Sequence, residues 1–135
     1  MSKLNYQEIM EVRNQTNAFA RSIGLALTFL EEGHAVTEMT ITKDQLNPIG
    51  SVHGGCLYTA ADVAAGGAAI SYGDVVTTVD SSFRYLRPGL KTTRIKADAN
   101  AIKHGKRLTV VQVNIYDQDE TLLCIGTFSF MSVDG

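Results

Sequence analysis

The spacing of apolar residues changes character twice along the chain. Up to Gly24 it is helical: Ile9, Val12 and Arg13 fall at three- and four-residue steps behind an Asn5/Glu8 capping pair. A second short turn over Ala18 to Ile23 closes at Gly24, so residues 1–24 are expected to form an N-terminal helical segment. Leu25 to Glu32 and Ala35 to Thr42 then read as strands, joined by a two-residue turn, Gly33-His34, with Gly first. In the second strand Ala35, Thr37, Met39 and Ile41 share one face, and Val36, Glu38, Thr40 and Thr42 the other.

Lys43 to Gly55 interrupts the pattern with Asn47-Pro48, Gly50 and Gly54-Gly55. A helix is expected from Cys56 to Tyr72. Six alanines stand there in pairs at 60/61, 64/65 and 68/69, around Gly66-Gly67. A four-residue step stacks these pairs along the axis, leaving one side nearly smooth. So apolar a helix with such small side chains must be buried against close neighbours. Its two glycines weaken it by about 1 kcal/mol each relative to Ala, which only packing can offset.

After Gly73 the chain reads as strand throughout. Val75 to Leu86 ends at the turn Arg87-Pro88-Gly89, and Lys91 to Lys103 alternates with Ile95, Ala97, Ala99 and Ala101 on one face. His104-Gly105 turns the chain into Arg107 to Asp117, and Gln118 to Glu120 turns it again into Thr121 to Val133. The small residues on the strand at 95–101 match the smooth helix. The expected fold is α+β: an antiparallel sheet of five to six strands wrapped around one long central helix at 56–72, with a short N-terminal helix, as a single domain over 1–135.

Composition agrees with one packed domain: 44% of the 135 residues are apolar and 19% are charged, which excludes disorder as a description of the whole chain. Twelve Lys and Arg against fourteen Asp and Glu leave a net charge of −2, no basis for expecting a nucleic-acid or anionic-membrane partner. The first residues have no apolar run of signal-peptide length, and nowhere do about 18 apolar residues run together. Cys56 and Cys124 read as two buried free thiols in a reducing, cytoplasmic setting.

Asp62 is the odd residue of the central helix. Asp is a poor helix former, and its neighbours three and four residues away, Tyr58, Thr59, Ala65 and Gly66, offer no positive charge. An exposed stripe or a structural cation would account for it, but a functional carboxylate is the preferred reading. Ahead of it stands Asn47-Pro48-Ile49-Gly50-Ser51-Val52-His53-Gly54-Gly55, placed where a helix start presents open N–H donors. Gly54 and Gly55 would let a ligand oxygen approach the backbone as in an oxyanion hole.

This run, followed by a buried helix carrying Asp62 and then by Thr78-Val79-Asp80 and Tyr85-Leu86-Arg87-Pro88-Gly89, resembles the hotdog-fold acyl-CoA thioesterases of the PaaI-like, phenylacetate-degradation group. The likeness covers almost the whole chain. It implies a homodimer with two sheets joined edge to edge, active sites shared across that join, and further pairing into a homotetramer. It implies an acyl-CoA substrate, with coenzyme A entering as part of the substrate and neither cofactor nor metal required. Asp62 would then be the general base or nucleophile, and Gly54 the backbone donor to the thioester carbonyl. Asn47 would bring a side-chain amide from the other subunit, His53 would support the loop, and Thr78, with Thr77 as the alternative, would position water.

Gly55, Leu57, Tyr58 and Phe83 are the candidate lining of the acyl pocket, with Ala61 beside them. Arg87, Lys106 and Arg107 are candidates for the phosphates of coenzyme A, as are Arg84 and Lys103. A small aryl-acyl group and a short or medium aliphatic chain both fit. The histidines, His34, His53 and His104, lack metal-ligand spacing. Three rivals stand beside this reading. A hydratase of the same fold would need an acid where Gln45 stands, and a Cys56 nucleophile would need a lowered pKa. A non-catalytic acyl-CoA binding module would have no use for Asp62.

Overall fold

The computed structural model describes residues 4–133; positions 1–3 and 134–135, the ends of the expected 1–135 domain, lie outside the described residues. The elements run α1 (Tyr6–Thr16), α2 (Ala18–Ser22), β1 (Leu25–Glu31), β2 (His34–Thr40), α3 (Gly54–Ile70), β3 (Val76–Tyr85), β4 (Arg94–His104), β5 (Leu108–Asp117) and β6 (Leu122–Ser132). All six strands form one antiparallel sheet in the order β1-β2-β4-β5-β6-β3. The α3 helix packs against every one of them. This is the hotdog architecture, with α3 as the filling.

Small faces small at the centre. Ala60, Ala61, Ala64, Ala65, Ala68 and Ala69 of α3 are fully buried, as are Ala35, Ala97 and Ala99 on the strands they meet. Register places Ala35 beside Ala99 and Thr37 beside Ala97. Thr37 Oγ1 donates to the Ala60 carbonyl at 2.7 Å, satisfying the one hydroxyl on this dry seam. The two helix glycines differ. A Cβ on Gly67 would sit 3.1 Å from the Ala35 Cβ, whereas one on Gly66 would meet nothing within 4 Å. Gly67→Leu is therefore expected to destabilise by about 1–3 kcal/mol through overpacking. Gly66→Ala should stabilise by about 0.5–1 kcal/mol through helix propensity. Urea melts of both variants check the pair, and equal effects would show that the seam is looser than it looks.

Several boundaries differ from the sequence expectation for local reasons. The α3 helix covers 54–70 rather than 56–72, because His53 caps it and the two glycines become its first turn. The β1–β2 turn is centred on Glu32-Gly33, with Gly33 second at φ +75° and Glu31 paired to His34. The β4 strand starts at Arg94 instead of Lys91, since Lys91 turns at φ +53° and Thr93 N–H donates to the Gln118 side chain. The Val75–Leu86 strand shortens to Val76–Tyr85, and the other strands shift by one or two residues at their ends.

The N-terminal segment is pinned. Asn5 caps α1 by accepting from Glu8 N–H at 3.0 Å, and Tyr6 Oη donates to the Ser71 carbonyl at 2.9 Å. Asn14 uses both ends of its amide on Leu27: Nδ2 donates to the carbonyl at 2.9 Å and Oδ1 accepts the N–H at 2.8 Å. That amide occupies the open edge of β1 as a strand would. At the other end of the sheet β3 pairs on one side only, with β6. Its residues are nearly all exposed, including Val79 at 50% and Tyr85 at 53%, and a bulge between Thr78 and Asp80 breaks its alternation.

Candidate functional site

The start of α3 is built by its own loop. His53 N–H donates to the Gln45 carbonyl at 2.7 Å, and His53 Nδ1 accepts the Gly55 N–H at 2.8 Å. Gly55 is therefore not an open donor, as the Gly-Gly pair alone suggests. Cys56 and Leu57 N–H both donate to the His53 carbonyl, which leaves Gly54 N–H as the uncommitted donor of this turn. Tyr85 Oη donates to the Gly54 carbonyl at 2.9 Å and so ties β3 to the helix start.

Asn47 organises the loop ahead of it. Its Oδ1 accepts from Ile49 and Ser51 N–H at 3.1 and 3.0 Å, and its Nδ2 donates to Ser51 Oγ at 2.7 Å. One amide hydrogen remains to it. Gln45 is consumed structurally: Oε1 accepts from Thr42 N–H at 2.6 Å and Nε2 donates to the Ile23 carbonyl at 3.0 Å. The position at which a hydratase would carry its acid is thus a neutral loop anchor.

These residues divide among three clefts of one chain. Asn47, Gly54, Leu57 and Arg87 line a cleft of about 340 Å³ with Tyr85 and Pro88. His53, Gly55 and Tyr58 line one of about 470 Å³ with Phe19 and Cys56. Asp62 and Thr78 line another of about 470 Å³, walled by Ile9, Val63, Ile70, Val76 and Phe130 and also reached by Arg13 and Asn17. Thr77 is not among its lining residues. Asp62 and Gly54 lie eight residues apart on α3, about 12 Å of helix rise. That distance is too great for both to act on one small carbonyl within one chain.

The remaining candidates scatter. Leu57 is 3% exposed and belongs chiefly to the core. Phe83 packs edge-on against Tyr58 and Tyr85 at 5.2 and 4.9 Å, beneath Gly126. Tyr58 Oη is 2.5 Å from Ser81 Oγ. Arg87 sits near the start of α3 and donates to the Leu122 carbonyl at 3.0 Å. Lys106 and Arg107 belong to the β4–β5 hairpin, which docks at the far end of α3: His104 stacks on Tyr72 at 3.7 Å and bonds Asp74 at 2.8 Å. These three cations do not form one cluster in a single chain.

Electrostatics single out Asp62. Burial raises its pKa, with no positive charge acting against the shift. Burial also raises the Cys56 thiol and pushes Cys124 up to about 12, so neither is poised as a thiolate. Both are free and buried. His34 pairs with Asp98 at 2.6 Å, remote from this centre. Among the described residues no three His, Cys, Asp or Glu side chains gather as a metal site requires, and no helix is long and apolar enough to cross a membrane. An open backbone N–H and a partly desolvated carboxylate are the two parts that acyl transfer to water needs. Arg13 and Asn17 were missed by sequence reasoning, although Ile9 and Arg13 stand four residues apart on one stripe of α1 and Asn17 follows at its C-cap.

Comparison with known proteins gives the same direction. The family described as the thioesterase superfamily matches residues 49–124. The acyl-coenzyme A thioesterase PaaI of Escherichia coli is 31% identical over 111 residues, 82% of this chain and 79% of that protein. Its solved structure superposes with a TM-score of 0.90 at 27% identity, covering 96% and 94% of the two chains. The 1,4-dihydroxy-2-naphthoyl-CoA hydrolase of Listeria monocytogenes is 34% identical over 78% of this chain and 87% of its own. A hypothetical thioesterase from Streptococcus pneumoniae, solved with coenzyme A, matches at TM-score 0.81 and 27% identity over 90% and 96%.

Proposed function

This chain belongs to the thioesterase superfamily, as a hotdog-fold acyl-CoA thioesterase of the PaaI-like kind, and from that membership we propose that it hydrolyses a small aryl-acyl or short-to-medium-chain acyl-CoA to free acid and CoA at a site completed by two copies. It is a thiolester hydrolase; the substrate range, the roles of the residues and the assembly are the proposal. One observation carries it. Asp62, pushed toward protonation by burial, and the open Gly54 N–H are the two groups the reaction needs, yet about 12 Å of helix separates them in one chain.

The unpaired edge of β3 supplies the remedy. Two-fold pairing of β3 with a second β3 is antiparallel, so the partner's Val76 end comes to lie beside this chain's Tyr85 end. The α3 helix sits behind β3, and the same operation brings the partner's Asp62 side toward this chain's Gly54. It also carries the partner's β4–β5 hairpin, with Lys106 and Arg107, toward this chain's Arg87. The scattered cations would then converge on one nucleotide. Further pairing of dimers into a homotetramer completes the assembly we propose, and the two free thiols favour a reducing, cytoplasmic compartment.

In the proposed reaction Gly54 N–H donates to the thioester carbonyl oxygen and stabilises the charge that develops there. Asp62 acts from the other face, taking a proton from the attacking water or attacking the carbonyl carbon itself. Either way the C–S bond breaks and CoA leaves as its thiolate, and in the second case water then hydrolyses the mixed anhydride. Thr78, on the same cavity, holds the water. His53 fixes the helix start by accepting the Gly55 N–H, and Asn47 offers its remaining amide hydrogen to the carbonyl or the water. The hydrophobic walls around Tyr58 and Phe83 take up part of the acyl group. Thiol release from a panel of phenylacetyl-, hydroxybenzoyl-, short-chain and medium-chain CoA esters tests the proposal. Turnover of at least one ester is the expected result; tight binding of CoA esters with no release from any of them would identify a binding module.

A further inference from the structure

We propose that Arg13 of α1 reads the far end of the acyl group, and that this enzyme prefers acyl-CoA esters whose acyl chain ends in a carboxylate. The inference rests on the hydrolase reading above and goes on to name its substrate class. Arg13 lines the cavity of about 470 Å³ that Asp62 and Thr78 also line. The walls between them are apolar, formed by Ile9, Val63, Val76 and Phe130. A thioester carbonyl held at Asp62 has two sides. In the proposed two-copy site the carbonyl at Asp62 meets Gly54 of the partner subunit and CoA leaves on that side, so the Arg13 end of the cavity falls to the acyl group.

Among the described residues Arg13 is the one positively charged side chain on that lining. Of the two carboxylates there, Asp74 is held by His104 at 2.8 Å and Asp62 is the reacting group, and neither pairs with Arg13. Neither an ion pair nor a side-chain hydrogen bond engages its guanidinium among the described residues. Arg94 is occupied by Glu38, Arg87 by the Leu122 carbonyl and Arg21 by the Gln15 carbonyl. Arg84 and Arg107, which also show no side-chain partner among the described residues, do not line this cavity. Surrounding protein strips enough water from Arg13 to lower its pKa from the usual arginine value, and no carboxylate offsets that cost. A planar fork of donors in this state matches a carboxylate in two-pronged geometry better than any neutral group. Asn17, the cap residue between α1 and α2, accepts the Ala20 N–H on its Oδ1 and lines the same cavity.

The test compares matched pairs on the full-length protein: glutaryl-CoA against pentanoyl-CoA, and 4-carboxybenzoyl-CoA against benzoyl-CoA, with kcat/KM from thiol release. The same comparison is made by calorimetry with the non-hydrolysable thioethers S-(4-carboxybutyl)-CoA and S-pentyl-CoA. The native protein should favour the carboxylated member by about 10- to 100-fold, the usual worth of a charge-assisted pair. In Arg13→Gln the ratio should fall toward one, and Arg13→Lys should keep part of it. No preference in the native protein, or a ratio that Arg13→Gln leaves intact, overturns the inference. So does an Arg13→Gln loss of affinity shared equally by free CoA, which would place the guanidinium on the nucleotide. A carboxylate preference in the thioethers without turnover of any ester would uphold Arg13 while refuting hydrolysis.

Discussion

Asp62→Asn is expected to lower kcat by about 10²- to 10⁴-fold while leaving the affinity for CoA esters nearly unchanged. The substitution keeps the shape of the side chain and its place on α3, and removes only the ability to carry negative charge or accept a proton. Because burial raises the Asp62 pKa, the active carboxylate should disappear on acidification sooner than a solvated Asp would. The acidic limb of the native pH–rate profile should therefore lie higher than a solvated Asp would place it. Stability supplies a second readout of opposite sign. A carboxyl with a higher pKa folded than unfolded binds its proton more tightly in the native state, so native stability falls as pH rises between the two values. Above that window the ionised group remains a net cost. Asp62→Asn should then melt at a higher temperature than the native protein at pH 7, and the gap should close below the unfolded Asp pKa. Full activity in the variant would remove Asp62 from the chemistry.

What the sequence revealed, and what it hid, has a common physical origin. The α3 helix was legible because alanine pairs at a four-residue step can only be a buried face, and Ala97 and Ala99 reproduced that smoothness at a two-residue step. Asp62 was legible for the converse reason, as the one charge on a helix without charges. The helix start was placed two residues late because Gly54-Gly55 looks like punctuation until a His53 cap is seen to hold it. The β3 strand shows little alternation because it is an edge with a bulge, so almost none of its residues point to a core. Arg13 was invisible since a charge on an amphipathic helix ordinarily faces water. Its meaning depends on where α1 docks, and that is set by Asn14 on the edge of β1 and Tyr6 on Ser71. Charge and the family resemblance give Lys106 and Arg107 the same duty as Arg87, but neither shows that they stand at opposite ends of α3 in one chain.

Gly54→Pro is expected to reduce kcat by about 10²- to 10³-fold relative to Gly54→Ala, the scale of losing one oxyanion donor. Proline is acceptable at the first position of a helix, where its missing N–H breaks no intrahelical bond. His53, at φ −59° and ψ 133°, already has the extended backbone that a following proline demands. Both variants place a Cβ about 3.4 Å from the Tyr85 ring, so Gly54→Ala controls for that contact and keeps the N–H. Mixing the Pro variant with Asp62→Asn then asks where the two groups meet. If each site takes its carboxylate from one chain and its backbone donor from the other, both parent homodimers are inactive at both sites. Their heterodimer has one doubly impaired site and one intact site. Refolding an equal mixture should therefore recover about a quarter of the native activity per chain, by random association of a two-fold dimer. A site confined to one chain would leave a defect at every site of the heterodimer, and mixing would recover nothing.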